Sequence, residues 1–332
     1  MGERAEPIDP AALAGQDEDG FALAFDFGAD GGLAAPGEPV VWRWRNHALA
    51  DARARRRIEA DSNLPEGIRA GLLASSDGLL LDYEEGWLHG AITDTRHRHY
   101  TEASEIGHFR FAFNDAMLVS ARRHPLQSVD DLRRQIEQRK KTFRTPAELT
   151  EAIVLHSLDR LAGEITAIGA ELDSIEDGVV GDSWHRERER LTSARRRLVF
   201  VHRHVAGVSS LFRHAEPMLA GQLPEPLADM VGRLSQRATT LLQDSEQMQS
   251  KARLLQDELM AKLSAESNRL LYVLSVLTAV LMPMSIISGL FGMNVGGVPL
   301  AGSGTGFWLV SLASFAVAAG VFVAVNRIGR RR

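Results

Sequence analysis

Asn294 is the residue on which this sequence concentrates its chemistry. It closes the triplet Gly292-Met293-Asn294, and its amide offers an uncharged oxygen beside the tight turn that Gly289 and Gly292 allow at a helix end. Carbonyl oxygens suit a divalent cation that keeps its water, because neutral dipoles bind or replace hydration water without the trapping strength of clustered carboxylates. A plain helix cap is the simpler role for Asn294, and packing is the simpler role for Met293. Counting inward from Asn294 and Gly289 in steps of 3.6 residues selects one helix face: Ser285, Met282, Thr278, Ser275 or Leu274, Leu271 and Asn268. Leu271, Leu274 and Met282 would form constrictions able to gate by dewetting, while Asn268, Ser275, Thr278 and Ser285 offer uncharged oxygens. Three turns below Asn268 stands Asp257, whose carboxylate would concentrate divalent cations at the inner end, unless it is only a solvated surface residue. Pro283 removes one backbone hydrogen bond and is expected to kink the helix and expose a carbonyl.

Other chemistry-bearing residues are less organised. His202 and His204 lie two apart on a helical stretch, so they point about 200° apart and cannot share a metal. His97 and His99 could share one if their segment is a strand, but they read as surface histidines. Glu171, Asp173, Glu176 and Asp177 crowd a helix end, where charge ordinarily solvates. Nothing resembles a nucleophilic triad, a paired-carboxylate site, a Gly-rich phosphate loop or a nucleophile elbow, so the chain is not read as an enzyme and no cofactor is expected. With no cysteine among 332 residues, disulfides and thiolate metal sites are excluded.

The elements that would position these residues follow from charge. From Leu270 to Asn326 there is not one Asp, Glu, Lys, Arg or His. A helix needs about 20 apolar residues to cross roughly 30 Å of hydrocarbon, and the run holds two such lengths, 270–291 and 307–325. Between them, 292–306 contains six glycines and a proline and reads as a loop. The N-terminal residues are polar and acidic, unlike a signal peptide. Arg269 and the basic tail 326–332 flank the spans while the loop is uncharged, so the positive-inside rule places both termini in the cytoplasm. Residues 1–269 carry 34 Lys+Arg against 43 Asp+Glu, a balance that disfavours nucleic acid and suits a body that meets cations.

Residues 1–20 lack apolar periodicity and read as disordered. Residues 21–144 form an α+β domain, with strands expected at 21–27, 40–44, 78–84, 86–94, 108–115 and 116–123 and helices at 49–60, 65–74 and 129–142. Asn114-Asp115 reads as a hairpin turn. A capping box at Thr145-Pro146-Ala147-Glu148 opens an antiparallel helical hairpin over 145–225. Its seams run Leu158, Leu161, Ile165, Ile168, Leu172, Ile175, Val179 and Leu191, Ala194, Leu198, Val201, Val205, Val208, Phe212, in the three-four spacing of coiled coils, with Gly178 and Gly181 between the helices. A third helix, 226–291, repeats the rule from Leu227 to Leu259 with one polar seam position, Ser245, and continues as a stalk into the first span.

The residues from Tyr272 to Phe291, followed by Gly292-Met293-Asn294, resemble the signature of CorA-like divalent-metal transporters, and the order of parts matches that family over residues 21–332. The resemblance implies an α+β cytoplasmic domain, long coiled-coil-like helices, two C-terminal transmembrane helices and a homopentameric funnel in the plasma membrane. It implies a selectivity filter at Gly292, Met293 and Asn294, an acidic pore ring at Asp257, and a contact between acidic hairpin tips and the basic tail. The continuation Val295-Gly-Gly-Val-Pro299 is similar to the zinc-transporting, ZntB-like branch, and the loop lacks the acidic residue usual in magnesium-transporting relatives. Zinc is therefore the expected cargo, with Mg²⁺, Co²⁺ or Ni²⁺ as the alternative and a membrane-tethered sensor or scaffold as a further one.

Overall fold

The computed structural model describes residues 23–75, 78–95, 106–181, 184–293 and 304–329. The expectations for residues 1–20, for His97 and His99, for Asn294 with most of its loop, and for Arg330 to Arg332 lie outside the described residues. The chain divides into two compact units, Met1–Arg253 and Leu254–Arg332.

The first unit begins with strands β1 (Leu23–Phe27) and β2 (Trp42–Ala48), helices α1 (Ala52–Ala60) and α2 (Glu66–Leu73), then strands β3 (Leu80–Glu84), β4 (Trp87–Thr95), β5 (Ile106–Phe113) and β6 (Met117–Arg122), and helix α3 (Gln127–Glu137). The six strands form one sheet in the order β1-β2-β6-β5-β4-β3, antiparallel except for the parallel pair β2 and β6. Helices α1 and α2 close one face over Leu49, Ile58, Ile68, Leu72, Trp87 and Val119. β3 and β4 join through Glu85 and Gly86, both at positive φ, the two-residue turn whose twist matches a hairpin. Asn114 makes the β5–β6 turn, its Oδ1 accepting from the N–H groups of Ala116 and Met117 at 3.0 Å.

Two expected boundaries move for reasons of tertiary contact. The strand expected at 40–44 runs instead over Trp42–Ala48, because pairing with β6 draws polar Asn46 and His47 into the sheet. There Ser120 Oγ donates to Asn46 Oδ1 at 3.0 Å and accepts from Trp44 Nε1 at 2.9 Å. Helix α3 starts at Gln127 rather than 129, because Asp94, from β4, accepts from the backbone N–H of Ser128 and so caps it across the fold.

Helices α4 (Pro146–Val180), α5 (Trp184–Leu219) and α6 (Glu225–Phe291) carry the seams. Every named seam residue of α4 and α5 is buried, as are Val231, Leu234, Ala238, Leu241, Ser245, Ala252, Leu255 and Leu259 of α6. Polar pairs fix the directions. Arg190 reaches Ser174 and Arg197 reaches Glu171 and Glu164, so α5 runs antiparallel to α4. Arg233 pairs with Glu151, Arg237 with Asp159 and Lys251 with Asp173, so α6 runs parallel to α4. Thr145 Oγ1 caps α4 by accepting from Glu148 N–H at 3.2 Å, but Glu148 reaches back to the N–H of Arg144 rather than of Thr145, so the reciprocal half of the expected box sits one residue early. Gly178 lies within α4 rather than in the connection, since α4 continues to Val180 and is capped by Gly181.

In the second unit, the continuation of α6 from Leu254 and helix α7 (Gly306–Gly329) are the described elements. Both are long and apolar enough to cross a membrane. A core helix of a soluble protein would be buried, and none of the apolar window of α6 is. Helix α6 runs 67 residues without interruption, about 100 Å at 1.5 Å per residue. It passes through Pro283, whose missing N–H leaves the Ala279 carbonyl without its usual donor.

Candidate functional site

The face of α6 selected by helical spacing is bare in this chain. Asn268, Leu271, Leu274, Ser275, Thr278, Met282, Ser285 and Gly289 are all exposed, with Leu271, Leu274 and Met282 between 57% and 61% accessible. The half-buried positions of the same segment, Val276, Ala279, Val280, Pro283, Met284 and Ile287, occupy a different side of the helix. On α7 the shielded stripe is Gly306, Val310, Ser314, Ala318 and Val321, small at the positions that are most buried. Small residues at four-residue spacing let apolar helices approach closely without a hydrophobic drive between them.

Polar side chains on a bare face at hydrocarbon depth need water or partners, because lipid satisfies no hydrogen bond. Thr278 shows how its hydroxyl is arranged. Its Oγ1 donates to the Leu274 carbonyl at 2.8 Å, so the proton is spent within the helix and only acceptor lone pairs remain outward. That is the polarity a cation or its hydration water can use.

At its C-terminal end, α6 stops at Phe291 and Gly292 N–H donates to Ser288 O at 2.9 Å. A Cβ on Gly292 would stand 3.0 Å from that carbonyl, so a side chain there crowds backbone. A Cβ on Gly289 would meet nothing within 4 Å, so packing among the described residues does not require glycine there. Met293 is exposed, and among the described residues no packing accounts for it. Asn294 lies outside the described residues.

Before the apolar segment, Asp257 is exposed, on the opposite side of α6 from buried Ala252, Leu255 and Leu259. Eleven residues at 100° each return to within 20° of the starting face, so Asp257 and Asn268 share one side of the helix. The same bare stripe extends further down than sequence reading took it. Gln236, Thr240, Gln243, Gln247, Ser250, Leu254, Asp257, Ala261, Ser264 and Asn268 follow in alternating steps of four and three, and all are exposed. Asp257 is its one charge. The signal was present in the sequence as a second heptad register, masked by the apolar seam beside it.

The discounted clusters are engaged elsewhere. His202 bonds Ser245, and His204 bonds the Phe200 carbonyl at 2.6 Å, so the two imidazoles diverge as their spacing requires. Burial holds His204 below the usual histidine range. Glu171 is taken by Arg197, and Asp173 and Glu176 by Lys251, whose ammonium they hold above the usual lysine range. Among the described residues no three His, Asp or Glu side chains are grouped so as to hold a metal.

The sequence model of the CorA-like Mg²⁺ transporter protein family matches residues 41–327. The chain belongs to that family. It is 30% identical over 202 residues to the divalent cation transporter CmaX of Pseudomonas aeruginosa, a match that spans 60% of each protein. It is 22% identical to the zinc transport protein ZntB of Photorhabdus laumondii over 281 residues, 81% of this chain and 80% of that protein. Its fold is that of full-length CmaX, with a TM-score of 0.75 at 23% identity over 94% of this chain and 99% of the other. It also matches the CorA magnesium transporter of Methanocaldococcus jannaschii, with a TM-score of 0.71 at 16% identity over 93% and 96% of the two chains. The α+β body, the long helices and the two C-terminal apolar helices are thus the family's architecture, and the chain is a membrane protein.

Proposed function

We propose that this chain carries divalent metal cations, zinc foremost, across the plasma membrane through a homopentameric pore lined by the bare face of α6. The observation that carries this reading is the stripe from Asn268 to Gly289, exposed throughout, uncharged, and alternating between oxygen-bearing and apolar residues. Two helices per chain cannot enclose a water-filled path, so several copies must. In such an assembly Asn294 rings the outer mouth, Thr278, Ser275 and Asn268 line the interior, Leu271, Leu274 and Met282 constrict it, and the Asp257 ring gathers cations at the inner end. Both termini face the cytoplasm in this reading, which the arginines flanking the spans support.

Zinc is favoured over magnesium by a loop without acidic residues and by the relatives named for zinc transport; the family description favours magnesium. The deciding experiment is flux into liposomes containing the purified chain, with Zn²⁺, Mg²⁺, Co²⁺ and Ni²⁺ at equal driving force. Zinc flux is expected to exceed the others, and faster magnesium flux would reverse the cargo. Asn294→Ala should lower flux or selectivity, whereas a scaffold that transports nothing would be indifferent to it. Neither span contains an acid or a histidine, so an imposed pH gradient should leave flux unchanged unless protons couple through the cytoplasmic part.

A further inference from the structure

The outward side of α5 carries charge that nothing described in the chain answers. Arg188, Arg196 and Arg203 are exposed and stand away from the buried seam of Leu191, Ala194, Leu198, Val201 and Val205. Seven residues return a helix to within about 20° of its starting face, so Arg196 and Arg203 share one side, and Val199, 50% accessible, lies between them. From Arg188 to Arg213 the one acid is Glu189. Among the described residues, none of these three guanidinium groups meets a carboxylate, unlike Arg190 and Arg197 of the same helix.

The opposite charge gathers at the β3–β4 hairpin. Asp82 and Glu84 lie two apart on β3 and so share a face, Glu85 is in the turn, and Glu66 opens α2. A Cβ on Gly67 would stand 2.7 Å from Glu84 Oε2, which sets the start of α2 beside that carboxylate. Glu66, Glu84 and Glu85 are exposed, and among the described residues none of the four acids pairs with an arginine or lysine. His89, opposite Asp82 on β4, does not neutralise them, because burial holds it below the usual histidine range. Its Nε2 has no hydrogen-bond partner among the described residues.

We propose that the arginine face of α5 in one copy receives the acidic β3–β4 hairpin of a second copy. Guanidinium groups meet carboxylates through paired hydrogen bonds, and opposed potentials select a partner and fix its register more than they add affinity. A second copy is the partner because both halves of the contact belong to one compact unit of this chain and do not pair with each other inside it. The two patches differ, so the contact is head-to-tail, the kind that can close into a ring, whereas a patch set against its own copy would oppose like charges. This rests on the multi-copy pore proposed above and names a contact between its bodies.

The test uses the full chain, which has no cysteine of its own, in liposomes without metal. With Glu85→Cys and Arg196→Cys in the same chain, a short bismaleimide should join copies into a ladder of covalent oligomers, and co-expressed single variants should stop at dimers. Charge reversal gives a second reading. Glu84→Lys with Glu85→Lys, or Arg196→Glu with Arg203→Glu, should raise the concentration at which detergent-solubilised oligomers dissociate by about tenfold, and all four together should restore it. Oligomers that form without cross-linking, a cross-link closed within single chains, or a reversal that the combined variant fails to repair each overturn this contact and leave the pore reading standing. A chain that stays monomeric overturns both.

Discussion

His202 donates from Nδ1 to the hydroxyl of Ser245 across the packing of α5 against α6, at 2.9 Å. The direction follows from Ser245, whose own proton goes to the Leu242 carbonyl at 2.7 Å, leaving the oxygen only able to accept. Ser245 is fully buried at the one polar position of an otherwise apolar seam, so this bond is what makes the position tolerable. Ser245→Ala should cost about 1 kcal/mol by stranding the imidazole N–H. Combining it with His202→Leu should cost less than the two separate losses added together. Thermal or denaturant unfolding of the four combinations measures that coupling, and strict additivity would show the bond contributes nothing.

Gly178 and Glu187 face each other where α4 meets α5. A Cβ on Gly178 would lie 2.7 Å from Glu187 Cγ, and Glu187 is buried and paired with Arg190 at 2.7 Å. Gly178→Ala should therefore destabilise the hairpin by about 1–3 kcal/mol through overpacking, although alanine is the better helix former. Adding Glu187→Ala should recover part of the loss. An unfolding midpoint for Gly178→Ala at or above that of the parent would show that the side chain moves aside without cost.

Much of this architecture could be read from spacing alone, and the exceptions share a cause. The seams of α4, α5 and α6 repeat a three-four rule within single helices, so each helix announces its buried side locally. Ser245, Asn46 and the start of α3 could not be read that way, because His202, Ser120 and Asp94 come from other elements and nothing nearby in sequence marks the pairing. The lower half of the bare stripe, from Gln236 to Ser264, was legible in principle, but glutamine, threonine and serine on a helix surface look like ordinary solvated positions. Only the burial of the opposite side sets them apart. The exposed side of the span is the easier case, since a serine or threonine among 57 uncharged residues stands out against an apolar background.

His47 is buried in β2, and burial, with Arg57 and Arg45 adding to it against the opposing pull of Asp61, lowers its pKa from 6.5 to about 4. The unfolded chain therefore binds more protons than the folded one between those values, so stability rises with pH across that window. The contribution is fully present above about pH 6.5 and is lost as pH falls toward 4, a span of about 3 kcal/mol. Unfolding free energy measured from pH 4 to 7 should show this slope, and His47→Gln should flatten it. An equally steep acid limb in the variant would assign the slope to other groups.

Thr278 offers the most direct test of the bare face, because its oxygen can be removed without changing its shape. The hydroxyl proton already serves the Leu274 carbonyl, so the outward lone pairs are the only function left to lose. Thr278→Val keeps the branched side chain and deletes those acceptors, and in a cation pathway it should cut divalent flux by about tenfold. Thr278→Ser keeps the oxygen and should transport close to the parent rate. Helix content and thermal midpoint should be nearly unchanged in both, since the position is exposed and an intrahelical serine or threonine bond of this type adds little stability. If the valine variant carried zinc as fast as the serine variant, cations would not pass along this face of α6, and the pore would have to be lined by another side of the helix.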